Sequence, residues 1–374
     1  MWAWRWLWSL IGVAIASGAV ACAAPAPSSG TAPSDGPAPA SGAPAAFAPT
    51  APAASAAAPR PLERVTAAWV RSLNLAPFNV ALGKGYYEQE GLQIETAEFQ
   101  STADVVSALS TGQLDVSVGT VSAGTFNAWQ RGVKMIVVAP TSVYPAEGLM
   151  PTSVVVRKDL WDSGQIRSLA DARGRRLAVN ARGNITEYTA WLILGRRGLG
   201  LEDVNQQILP FPDQVAGLAN GSIDIMVASE PFGTVAIDQG VGVRLEEDQQ
   251  TIGPIQFTHF IFSEQFADGR ADAATRFLVA SLRASRELQG DWVKDPQLAQ
   301  LLEEQIGFKQ ELLARSVLPV FPTDFTVRAE ELMQLQEALM RMGHLTYSTP
   351  LDVRPFVNTA LADRAREQLE ARGR

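Results

Sequence analysis

Gly119-Thr120-Val121-Ser122 offers two hydroxyls and exposed amides within four residues, and Gly183-Asn184-Ile185-Thr186 leads into a helical pattern. These are groups for holding a small polar molecule. Free N–H groups at a helix start favour an anion such as a sulfonate or carboxylate, and Thr186 adds a hydroxyl. Arg71 or Arg182 can supply charge-assisted bonds. Phe78 and Phe232 can clamp an apolar or aromatic part. Each has a second reading. The phenylalanines can be core residues, the arginines can be ordinary surface cations, and the hydroxyls can simply cap helices. Glu230 cuts against a plain anion site. Facing a ligand it would match an amine or hydroxyl; otherwise it pairs with an arginine of its own lobe or lies at the rim.

Residues suited to catalysis are sparse. The two histidines, His259 and His344, are far apart in sequence. His259 sits in an apolar alternation, which reads as a core histidine, although a pocket role stays open. The chain has no Gly-x-Ser-x-Gly elbow, Walker loop or HExxH helix. Gly83-Lys84-Gly85 and Gly198-Leu199-Gly200 lack the third glycine and the strand context of a dinucleotide loop. No cofactor or metal is expected.

The elements that must position these loops come in two copies. Asp104 to Val118 recurs without gaps as Asp213 to Val227. Each copy reads as a helix, a glycine stop at Gly112 or Gly221, an acidic residue and a buried strand. Asp104 and Asp213 suit a helix start. The repeat predicts two similar α/β lobes, and a cleft between lobes is a common place to hold a small molecule.

Strand and helix patterns alternate from residue 64, implying parallel sheets covered by helices. Strands are expected at Arg64–Val70, Gln93–Phe99, up to Val118, Met135–Ala139, Arg176–Asn180, Gln207–Pro210, up to Val227 and Gly242–Leu245. Pro254–Phe262 is expected to carry the chain back to the first lobe. Beyond Ala271 the spacing is helical, over Ala273–Leu288, Pro296–Ile306, Lys309–Arg315, Arg328–Met342 and Val353–Leu369, and these helices are expected on the first lobe. Ligands of open α/β sheets bind beyond the carboxyl ends of the strands. That places the site at Arg71 to Phe78 (with Asn74), at Gln100-Ser101-Thr102, at Gly119 to Ser122, and at Asn180 to Thr186 joined by Ser229 to Phe232.

Ahead of the folded part lies a cationic start at Met1 to Arg5, then an apolar run from Leu7 to Val20. Ala19-Val20-Ala21-Cys22 has the form of a lipobox, in which a signal peptide is cut before a cysteine that becomes lipidated. An uncleaved anchor is the alternative, since Trp6 to Ala24 nearly reaches spanning length. Either puts the rest outside the cytoplasm. Cys22 is the only cysteine, so no disulfide, Cys-ligated zinc or thiol nucleophile is available to the domain. Its stability must come from an ordinary core, for which about 300 residues suffice. Ala23 to Pro61 is almost wholly Ala, Pro, Ser, Gly and Thr, and reads as a tether with a reach on the order of 35 Å. The formal charge of −8 argues against a nucleic-acid partner. The domain plan is a signal peptide over 1–21, a lipidated tether over 22–62, a first lobe over 63–150 and 256–374, and a second over 151–255.

Leu73-Asn-Leu-Ala-Pro-Phe-Asn-Val-Ala-Leu-Gly-Lys-Gly-Tyr-Tyr-Glu-Gln-Glu-Gly-Leu92 resembles the opening of the SsuA-like sulfonate, nitrate and thiamin-pyrimidine group of solute-binding proteins. Gly112 to Gly119 and Ser229-Glu230-Pro231-Phe232 look like two further hallmarks, and the resemblance covers most of residues 64 to 345. It implies a type II periplasmic-binding-protein fold, with two α/β lobes, two crossover strands and a ligand cleft. It implies a monomeric lipoprotein on the outer face of the cytoplasmic membrane. Such a protein delivers a small molecule (a sulfonate, nitrate, taurine or a thiamin pyrimidine) to an ABC permease and ATPase. Two alternatives stand beside it. One is a thiamin-pyrimidine synthase-like enzyme using pyridoxal phosphate, whose cysteine-rich motif this chain lacks. The other is a sensory module that binds without transport.

Overall fold

The computed structural model describes residues 61–69, 72–98 and 105–373. The expected signal peptide, Cys22 and tether lie outside the described residues, as do Arg71, Gln100, Ser101, Thr102 and Asp104. Ten strands form two five-stranded sheets among the described residues. The first sheet contains β1 (Glu63–Trp69), β2 (Leu92–Glu98), β3 (Val116–Gly119), β4 (Met135–Val143) and β10 (Gln256–Ser263). The second contains β5 (Thr152–Arg157), β6 (Arg176–Val179), β7 (Asn205–Ile208), β8 (Ile225–Ser229) and β9 (Gly242–Arg244).

The two sheets repeat one plan. Their orders are β2-β1-β3-β10-β4 and β7-β6-β8-β5-β9. The first three strands of each order are parallel, and the fourth, β10 or β5, runs antiparallel to both neighbours. Each sheet thus takes in one strand from a crossover.

The sequence repeat appears as two matching corners. Gly112 and Gly221 follow their helices with φ of 71° and 75°, a left-handed conformation that glycine adopts without a Cβ penalty. The acidic residue after each glycine clasps the neighbouring strand. Asp115 accepts the Thr66 N–H of β1 at 2.9 Å, and Asp224 accepts the Arg176 N–H of β6 at 2.9 Å. Each also meets arginine: Arg270 stands 3.1 Å from Asp115, and Arg157 and Arg176 stand 3.1 and 2.6 Å from Asp224. Burial alone would raise the Asp224 carboxyl, but the bonds from Arg176 outweigh it and hold the group below its ordinary range. Asp213 lies in the first turn of the helix Phe211–Asn220.

The first lobe is centred on Phe277 of the helix Ala271–Glu287. Its ring stacks on Tyr87 at 4.8 Å and meets Phe260 and Phe262 edge-on at 5.3 and 5.5 Å. Such pairs contribute about 0.5–1.5 kcal/mol each beyond their burial.

Three expectations need correction. β5 is a strand that the residue pattern did not announce, because Val154, Val155 and Val156 are buried on both faces and show no alternation. The expected helix over Val353–Leu369 is a short turn at Arg354–Phe356 and a helix over Thr359–Arg372. The helix Ala329–Arg341 does not pack on the first lobe alone. Leu332, Leu335 and Leu339 share a buried cluster with Ile185, Ile193 and Leu194 of the second lobe.

Candidate functional site

The loops at the carboxyl ends of β3 and β6 meet. The Ala123 N–H donates to the Gly183 carbonyl at 2.7 Å. A Cβ on Gly183 would stand 2.7 Å from that of Ala123, and the φ of Gly183 is 65°, so this crossing requires glycine. Farther along the facing surfaces, Phe308 meets Phe232 edge-on at 5.2 Å, and Phe232 also packs on Phe211 at 5.4 Å. Phe308 thereby joins the cores of both lobes.

Helix starts flank the crossing, and both are already occupied. Ser122 precedes the helix Ala123–Gln130; its N–H donates to the Thr125 hydroxyl at 3.3 Å, and the two hydroxyls are 3.4 Å apart. Asn184 caps the helix Ile185–Arg196, accepting the Thr186 and Glu187 N–H groups at 3.1 and 3.0 Å. Its amide donates to Asn180 at 2.9 Å. The Gly183 N–H donates to Glu187 Oε2 at 2.5 Å. The anion expected at Gly183 to Thr186 is therefore supplied by the chain itself, as the fully buried Glu187 carboxylate. His344 lies 2.7 Å from the same oxygen, and Gln206 donates to Oε1 at 2.6 Å. The spacing Asn184 to Glu187 is that of a capping box and was the signal available in the sequence.

Glu230 is engaged within its own lobe. It is buried against Ser153 at 2.6 Å, Arg244 at 2.9 Å and the Thr234 N–H and hydroxyl at 3.1 and 2.9 Å. Its lobe satisfies its charge, as a buried carboxylate requires. Phe78 is likewise a core ring, tilted against Tyr87 at 5.8 Å with no exposure. Asn74 is buried, donates to Ser72 at 3.3 Å and accepts from Ser142 at 3.2 Å. Ser142 continues to Thr258 at 2.7 Å, and Thr258 to Thr141 at 2.6 Å, giving a hydroxyl chain between β4 and β10. Thr120 is half-buried in the loop beyond Gly119. Arg182 is exposed and lines a groove of about 570 Å³ with Trp191, Arg341 and His344, next to the crossing.

His259, read from the sequence as a core histidine with a pocket role left open, is buried. It sits on β10 directly opposite Gly119 of β3. It is 2% exposed, and neither ring nitrogen has a hydrogen-bond partner. Burial, with a smaller push from the Arg328 charge, lowers its pKa to about 3, so the ring is neutral near pH 7. No group of His, Cys, Asp and Glu among the described residues is arranged to hold a metal ion.

A family model described as the NMT1-like family matches residues 58–289. The riboflavin-binding protein RibY of Chloroflexus aurantiacus is 24% identical over 333 residues, covering 82% of this chain and 89% of that protein. Two solved structures share the fold. The alkanesulfonate-binding protein SsuA from Xanthomonas axonopodis pv. citri aligns with a TM-score of 0.63 at 17% identity, over 79% of this chain and 98% of its own. The periplasmic nitrate-binding protein NrtA from Synechocystis PCC 6803 aligns at 0.66 and 16%, over 83% and 90%.

Proposed function

Because the chain belongs to the NMT1-like family, we propose that it is an extracytoplasmic solute-binding lipoprotein that captures a small ligand between its lobes and hands it to an ABC permease and ATPase. The observation that carries this reading is the meeting of two like lobes at Ala123 and Gly183, where the loops of β3 and β6 cross. A ligand that bonds both lobes binds the closed arrangement better than the open one and shifts the population toward it. The closed form then docks on the permease. Lipidation of Cys22, after cleavage before it, and the proline-rich tether keep the domain near the membrane.

Within the range of sulfonate, nitrate, taurine and pyrimidine-like ligands, we favour an uncharged ring-bearing molecule. Glu187 fills the helix start where an oxyanion would sit, so a second anion there meets like charge. A relative of matching length carries the name riboflavin-binding protein, and a flavin is such a molecule.

A thermal-shift screen tests the reading. The purified protein is heated with riboflavin, an aminopyrimidine, taurine, an alkanesulfonate or nitrate. A ring compound should raise the melting temperature, since a ligand of the native state stabilises by mass action. A shift with nitrate or a sulfonate alone would overturn the choice of ligand class. Radiolabelled uptake by cells with and without the chain then tests delivery.

A further inference from the structure

The geometry points to His259 as a ligand-contacting residue that sets specificity for an uncharged polar ring, an inference that rests on the binding function proposed above. Along β10, Thr258, Phe260 and Phe262 face the first-lobe core, where Thr258 bonds Ser142 and the two rings meet Phe277. Alternation turns Phe257, His259 and Ile261 to the other face. There Phe257 stacks on Tyr144 at 5.0 Å, and Phe257 and Ile261 join a cluster that mixes residues of both lobes, Ala123 and Ile185 among them. His259 therefore lies on the face shared by the lobes.

Its neighbour in register is Gly119, the last residue of β3. Glycine has no side chain to bond the imidazole, and the register partner on the other side, Pro140 of β4, has a ring with neither donor nor acceptor. Glycine in a strand often marks close approach by another group. The next residues are Thr120 to Ser122, which run to the Ala123–Gly183 crossing. A neutral imidazole carries one N–H donor and one acceptor nitrogen. Buried polar groups are nearly always paired, and here the protein supplies a partner to neither nitrogen. Hydroxyl pairs at Thr141–Thr258 and Tyr144–Thr152 are satisfied at 2.6 and 2.7 Å, whereas the His259 nitrogens, like the buried Ser117 hydroxyl two residues before Gly119, have no partner. An oxyanion accepts only and would match one nitrogen. A ring edge bearing both a carbonyl and an N–H can use either.

The test uses the full-length protein as wild type, His259→Leu and His259→Asn. Riboflavin and ethanesulfonate are the probes, followed by calorimetry and by melting in the absence of probe. Wild type should bind riboflavin. His259→Leu should weaken that binding at least about ten-fold, and His259→Asn, which restores a donor and an acceptor, should recover part of it. Without probe, His259→Leu should melt at or above the wild-type temperature, because it removes an unpaired buried polar group. Undiminished riboflavin binding by His259→Leu would overturn the inference. Should wild type bind neither probe, the flavin reading fails separately, and melting decides: a lower melting temperature for His259→Leu makes the residue structural and overturns the inference, whereas an equal or higher one sustains it.

Discussion

His344 Nε2 lies 2.7 Å from the buried Glu187 carboxylate, and that carboxylate also takes the N–H of Gly183, four residues before it. The contact ties the segment after the helix Ala329–Arg341 to the second lobe. Asn127 strengthens it by donating to the His344 carbonyl at 3.2 Å and accepting from the Thr346 N–H at 2.9 Å. One acidic side chain thus shapes the Gly183 loop and anchors the C-terminal segment beside the cleft.

Glu187→Gln should cost about 1–3 kcal/mol in urea unfolding, since a charged acceptor of the Gly183 N–H and the Gln206 amide is replaced by a neutral amide. His344→Ala should cost less, because the histidine is partly exposed. In a double-mutant cycle the two should couple by about 0.5–3 kcal/mol. Strict additivity would show that the pair does not act as a unit.

Glu230→Ala should be among the more destabilising single changes, about 3–5 kcal/mol, because it leaves Arg244 largely buried without its counter-charge. Replacing both residues by apolar ones of similar size should recover much of the loss. Loss of ligand binding by a Glu230→Gln variant that folds with wild-type stability would return Glu230 to the cleft.

Ser122→Ala should destabilise by about 1 kcal/mol, the usual loss at a helix start. Thr120→Ala should reduce affinity for whichever ligand the screen identifies. If affinity is untouched, the β3 loop is not part of the site.

His259 gives a pH signature of definite sign. Its pKa falls from an ordinary 6.5 to about 3 on burial. Between those values the unfolded chain takes up a proton that the folded protein refuses. This linkage costs nothing above about pH 6.5, and stability falls as pH drops from there toward 3, by about 1.4 kcal/mol per pH unit. His259→Leu should flatten the acid limb of the stability curve by about one proton. Identical limbs for variant and wild type would contradict the burial of the ring.

Much of the fold could be read from residues in order. The repeat announced matching corners, Gly112 and Gly221 announced helix ends, and the alternation of Ile255, Phe257, His259 and Ile261 announced the return strand. β5 was silent because a strand buried on both faces has no period. Of the site, the loops at strand ends were legible and the role of each side chain was not. Phe78, Glu230 and the Gly183 to Thr186 amides all looked available, and the folded chain engages each of them internally.

Residue order by itself determined the two-lobed α/β plan, since periodicity, glycine stops and helix caps act over a few neighbours in the chain. Only the tertiary structure decided which polar groups were already paired. Arg244 reaches Glu230, and His344 reaches Glu187 across more than 150 residues. No local pattern encodes such pairings, nor that both His259 nitrogens go without one, because hydrogen bonding in a buried interface depends on what packing brings within about 3 Å.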